Sequence, residues 1–85
     1  MATCSLKIKG SAVKDLEALP PGDRRRVVLA IDGLREDPQQ GTLLKGKLSG
    51  LRRIRVGRYR VIYEVAHDRL VVLVLRVGHR RDIYR

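Results

Sequence analysis

The stretch Leu51–Tyr63, LRRIRVGRYRVIY, constrains the fold more than any other part of the chain. Its residues alternate with period two, Ile54 and Val56 to one side and Arg53 and Arg55 to the other, as in a strand buried on one face. Gly57-Arg58 follows with glycine first, the composition of a two-residue type II′ hairpin turn. Tyr59, Val61, Tyr63 and Val65 continue the apolar face on the return strand. A turn at 57–58 sets Val56 opposite Tyr59, Arg55 opposite Arg60, Ile54 opposite Val61 and Arg53 opposite Ile62. Arg55 and Arg60 then leave the sheet side by side. Directly opposed like charges destabilise a sheet by about 0.2–1 kcal/mol unless an anion bridges them. The hairpin reads as a holder for a polyanion.

The chain has 85 residues, 44% of them hydrophobic, which suffices for one core and a single domain spanning 1–85. With three Tyr and neither Trp nor Phe, that core must be built from Val, Leu and Ile. One cysteine, Cys4, excludes an internal disulfide framework. No apolar run reaches the length of a membrane span and no signal-peptide pattern opens the chain, so a soluble cytoplasmic protein is expected. The charge is uneven. Residues 1–40 carry seven Lys/Arg against six Asp/Glu, whereas residues 41–85 carry twelve against three. A basic half on a near-neutral scaffold is the footprint of a nucleic-acid binder, with an acidic protein or an anionic membrane surface as alternatives.

Ser5-Leu6-Lys7-Ile8-Lys9 alternates as a short first strand. Ser11 is the candidate N-cap of a helix from Ala12 to about Leu19, with Val13, Leu16 and Leu19 on its inner stripe and Asp15 near its positive end. Pro20-Pro21-Gly22 breaks that helix. Asp23 is the candidate N-cap of a second, over roughly Arg24–Glu36, in which Val27, Val28, Ile31 and Leu34 recur at helical spacing. Lys14, Arg24, Arg25, Arg26 and Arg35 fall on the polar side and read as a solvated outer face. Asp37-Pro38 closes the helix, and Gln39–Gly50 reads as a loop in which Lys45 and Lys47 bracket Gly46. After a turn at Ala66-His67-Asp68-Arg69, the apolar run Leu70–Leu75 reads as an interior strand covered on both faces. The expected architecture is α+β: an N-terminal strand, a two-helix hairpin, then a three-stranded antiparallel meander, β-α-α-β-β-β. Tyr59 and Tyr63, in phase with Val61 and Val65, are expected as core aromatics. Two His and one Cys, far apart and without ligand spacing, offer no metal site, and no cofactor is expected.

The run LRRIRVGRYRVIYEV, an apolar strand after it, and the tail RVGHRRDIYR resemble the RelE/ParE superfamily of bacterial toxins, in particular RelE-type mRNA endoribonucleases. The resemblance spans nearly the whole chain, and the order and spacing of the glycine turn and the G-H-R-x-x-x-Y tail are its specific parts. It implies a RelE-like fold, metal-independent cleavage of mRNA in the A site of the 70S ribosome, and a cognate acidic antitoxin, RelB-like or related, in a hetero-oligomer. The family's catalytic positions fall on Arg55, Arg60, Arg80 and Tyr84, with His79 beside them; Arg53, Arg55, Arg58, Arg81, Lys45 and Lys47 are the candidate phosphate contacts. The family's reaction is attack of a ribose 2′-hydroxyl on the adjacent phosphate. It needs a group that takes a proton, cations that stabilise the charged intermediate, and a group that protonates the leaving oxygen. Guanidinium is never deprotonated, so Arg53 and Arg55, which stand where relatives carry lysines, cannot be the base. Tyr84 by family position and His79 by its ordinary pKa remain the two candidates. ParE-like binding to DNA gyrase without catalysis is the alternative function on the same fold.

Overall fold

The period-two pattern of 51–65 folds into the β-hairpin it dictates, and the rest of the sheet is laid down on either side of it. The computed structural model describes residues 4–66 and 71–79. In chain order the elements are β1 (Ser5–Ile8), α1 (Gly10–Glu17), α2 (Pro21–Gly33), β2 (Thr42–Leu43), a single 3₁₀ turn (Gly46–Leu48), β3 (Arg52–Val56), β4 (Tyr59–Ala66) and β5 (Val71–His79). The strands form one five-stranded sheet in the order β1-β5-β4-β3-β2. The β1–β5 pairing is parallel and the others are antiparallel. The β3–β4 register pairs Val56 with Tyr59, Arg55 with Arg60, Ile54 with Val61 and Arg53 with Ile62, as the 57–58 turn requires. Gly57 has φ +59°, a conformation that glycine adopts without steric cost.

Both helices lie on one face. Ala12, Leu16, Val27, Ile31 and Leu34 pack against Val61, Tyr63, Val72, Val74 and Val77 in a single core, with Leu6, Ile8, Ile54, Val56, Tyr59 and Val65 around it. The run from Val71 to Leu75 is interior to the sheet but covered on one face only. Val72 and Val74 are buried, while Val71, Leu73 and Leu75 are half-buried, because among the described residues no helix crosses the second face. The opposite face is where Arg53, Arg55 and Arg60 emerge. Ile62 is buried there, flanked in the ladder by Arg53 and Arg76, whose aliphatic stems suit that role.

The helix boundaries correct several sequence expectations. Helix α1 begins at Gly10, so Ser11 lies inside it and is not the N-cap; its Oγ donates instead to the Leu75 carbonyl at 3.1 Å. Asp15 accepts from the Val77 N–H at 2.9 Å and from Arg76 Nε at 3.1 Å. Strand β1 ends at Ile8, opposite Val74, so these two α1 side chains take over the edge of β5 where the parallel partner stops. The buried stripe of α1 is Ala12 and Leu16, with Val13 41% exposed. Helix α2 starts at Pro21, with proline at the position where its missing N–H costs nothing, and Asp23 sits in the first turn rather than at the cap. Arg24 is not a solvated residue. Its Nε donates to the Leu16 carbonyl and its Nη2 to those of Glu17 and Leu19, each at 3.0 Å, closing the open carbonyls at the end of α1.

The segment expected as a plain loop contains β2, whose Thr42 pairs with Arg53 and Leu43 with Arg52. It is fastened by the buried Tyr63 hydroxyl, which donates to the Pro38 carbonyl at 2.8 Å and accepts from the Gly41 N–H at 3.0 Å. Arg52 Nη1 donates to the carbonyls of Gly41 at 2.9 Å and Gln39 at 3.3 Å. Among the described residues, no helix is long and apolar enough to cross a membrane.

Candidate functional site

The site is built by the β3–β4 hairpin. Strand alternation sends Arg53, Arg55 and Arg60 to the face without helices, and the two-residue turn brings Arg55 and Arg60 into direct opposition. Arg55 is exposed and Arg60 half-buried. Across β4 from Arg55, the β5 partner of Arg60 is Gly78, which presents no side chain. A shallow depression lined by Arg55, Gly57, Arg58, Tyr59 and Arg60 lies at this end of the hairpin. A second, lined by Gln40, Thr42, Arg53, Ile54 and Arg55, continues toward β2. The Tyr63 and Arg52 bonds that fasten residues 38–41 therefore also set one wall of the arginine surface. Planar guanidinium groups at this spacing suit bidentate bonds to phosphate oxygens.

A third depression lies on the helix side of the turn, lined by Asp23, Arg26, Gly57, Arg58 and Tyr59. Here the Tyr59 hydroxyl donates to Asp23 Oδ2 at 2.8 Å, and Arg26 Nη2 donates to Asp23 Oδ1 at 2.8 Å. The Arg26 guanidinium, then the Tyr59 hydroxyl, hold the Asp23 carboxyl below its ordinary pKa. The same hydrogen bond raises the Tyr59 phenol above its own. Tyr59 and His79 face each other across β4–β5, their ring centroids 6.3 Å apart and their planes at 84°.

The sequence candidates are thus divided. Arg53, Arg55 and Arg60 share one face, and Arg58 occupies the turn between its two strands. His79, directly opposite Tyr59, belongs to the helix-side face and not to the arginine surface. Lys45 precedes the 3₁₀ turn and Lys47 lies inside it, at the far end of β3 from the 57–58 turn, so the structure does not bring them to Arg55 and Arg60. Arg80, Arg81 and Tyr84 lie outside the described residues, as does the expected turn beyond Ala66. Asp23 was missed as a member of the site and Tyr59 was expected only as a core aromatic. Their bond joins residues 36 apart, which no local pattern signals.

A profile described as the ParE toxin of the type II toxin-antitoxin system parDE matches residues 6–84. Toxin RelG of Mycobacterium tuberculosis is 36% identical over 83 residues, covering 95% of each chain. The toxin–antitoxin complex RelBE2 of M. tuberculosis contains a chain of 31% identity that superposes with TM-score 0.84, over 92% of this chain and 99% of that one. The archaeal RelE–RelB complex from Pyrococcus horikoshii matches at 33% identity and TM-score 0.77, over 94% and 98% of the two chains. The profile carries the ParE description and these relatives carry RelE-type names. The chain belongs to the RelE/ParE superfamily of toxins of type II toxin–antitoxin systems.

Proposed function

We propose that the chain is a ribosome-dependent mRNA endoribonuclease, the toxin of a type II pair, acting in the cytoplasm on mRNA in the ribosomal A site. The observation that carries this reading is the directly opposed Arg55–Arg60 pair on the open face of the sheet, with Arg53 one alternate position away. Opposed like charges cost a sheet stability, and an anion held between the two guanidinium groups offsets that cost. A scissile phosphate is such an anion. In the reaction the 2′-oxygen bonds to phosphorus, the 5′-oxygen leaves with a proton, and the products are a 2′,3′-cyclic phosphate and a 5′-hydroxyl. Arg55 and Arg60 neutralise the charge that builds on the phosphoryl oxygens, with Arg80 as a third cation. Arg53, Arg58 and Arg81 hold neighbouring phosphates, and Lys45 and Lys47 meet nucleic acid further along. Tyr84 moves the proton, the role that the resemblance gives its position.

The partner is an antitoxin whose acidic segment covers the same arginines and folds on contact. The M. tuberculosis and P. horikoshii relatives are both seen in complexes with their antitoxins. The test is brief induction in a bacterial host, with 5′ ends of mRNA mapped in the presence and absence of translation. New ends in phase with codons that vanish when translation is blocked are expected. Arg60→Ala is expected to reduce cleavage about 10²–10³-fold. A second reading, gyrase inhibition by binding alone, is favoured by the ParE description of the matching profile. Unchanged mRNA together with an early stall of DNA replication selects it.

A further inference from the structure

We infer that Asp23, Tyr59 and His79 form a clamp that positions the arginine-bearing end of the hairpin, with His79 holding the sheet from the helix side rather than moving the proton. Only the kinetic consequences of this inference rest on the nuclease reading.

Tyr59 is the first residue after the turn, between Arg58 and Arg60, so wherever its ring is held those two arginines follow. It is held twice. Its hydroxyl is bonded at 2.8 Å to Asp23, in the first turn of α2, and Asp23 is itself gripped at 2.8 Å by Arg26. Its ring stands at 84° to that of His79, its direct partner on β5. Among the described residues, the charged groups around Tyr59 are Asp23 and Arg26 from α2 and Arg58 from the turn, while His79 faces it from β5. With Asp23 held below 3.8 and Tyr59 above 10.0, the carboxylate is ionised and the phenol neutral across the working pH range, so the bond stays made. The alternation that puts Arg55 and Arg60 on the open face puts His79 on the other, with the side-chain-free Gly78 opposite Arg60. A phosphate held by the arginine pair is therefore approached from the face that His79 does not occupy.

The experiment measures single-turnover cleavage of ribosome-bound mRNA by the full chain across pH, beside backbone amide exchange in residues 57–60. His79→Phe keeps an aromatic edge against Tyr59 and removes every titratable proton. It is expected to cleave within a few-fold of the original protein, with the same pH profile. His79→Ala, Tyr59→Phe and Asp23→Ala are each expected to lower the maximal rate about ten- to hundredfold, as small displacements of positioned groups do, with little change in half-saturating ribosome concentration. Tyr59→Phe and Asp23→Ala together should do no more than either alone. Asp23→Asn, which keeps an acceptor for the hydroxyl, should recover most of the rate. A His79→Phe protein as inactive as His79→Ala, with one limb of the pH profile gone, overturns the inference and makes His79 the proton carrier. Amide exchange decides the clamp without catalysis: faster exchange at 57–60 in Tyr59→Phe and Asp23→Ala supports it, and unchanged exchange refutes it. If the unmodified protein leaves mRNA uncut, the nuclease reading falls and the exchange result alone judges the clamp.

Discussion

Gly41 is buried where a side chain has no room. A Cβ there would stand 2.5 Å from the Tyr63 hydroxyl and 2.8 Å from the Arg53 carbonyl, whereas at Gly33 it would meet nothing within 4 Å. Gly41→Ala should therefore cost about 1–3 kcal/mol of stability through overpacking, seen as a lower urea midpoint at unchanged slope. Gly33→Ala, at the end of α2, should raise stability by about 0.5–1 kcal/mol. Asp23 gives a pH test. Its folded pKa lies below the ordinary 3.8, so its stabilisation is complete above that value and fades as pH falls through the lower folded one. Thermal melts of the original protein and Asp23→Ala should differ at neutral pH and converge on acidification below 3.8. At this scale the sequence was half legible. The arginine positions followed from alternation and from the resemblance, because both depend on near neighbours along the chain. The hydroxyl of Tyr63 was invisible, since its Pro38 partner is 25 residues away, and the aromatic ring alone accounted for its place in the pattern.

Strand β5 shows how an element is completed by its neighbours. Its pairing steps from Ile62–Arg76 to Tyr63–Val74, leaving Leu75 as an extra residue, and beyond Val74 its outer edge depends on Ser11 and Asp15. Asp15→Ala removes the acceptor of the Val77 N–H and should cost about 1–3 kcal/mol, measured by denaturant unfolding. The exposed Arg76–Asp15 ion pair adds little to that figure. On the hairpin, Arg55→Thr should do the reverse: a gain of about 0.2–1 kcal/mol in stability with, under the proposed function, a loss of cleavage. Elements were more legible than side chains. The hairpin register was readable to the residue because a two-residue turn fixes it. Helix starts were not, because Ser11 and Asp23 have cap-like chemistry that the tertiary structure spends on β5 and on Tyr59. The two-residue β2 was too short for any periodicity, and it is held by Tyr63 and Arg52, not by its own pattern.

Over the whole molecule, a net charge of +10 makes encounters with any polyanionic partner dependent on salt, the ribosome included under the proposed function. Ribosome affinity should fall linearly on logarithmic axes as salt rises, and Arg60→Gln should flatten that slope by about 0.7–0.9, the share of one phosphate. The mixed sheet has a further consequence. Among the described residues β1 pairs with β5 alone, its Ser5 beside Val71, so the first strand described is bound to the last. Strand β4, which carries Arg60, also gains its second neighbour only from β5. During synthesis β1 therefore stays without its partner, and the arginine strand half-supported, until residues 71–79 have emerged. The strand that carries Arg60 thus gains its full support only with β5, the same element that closes the sheet onto β1.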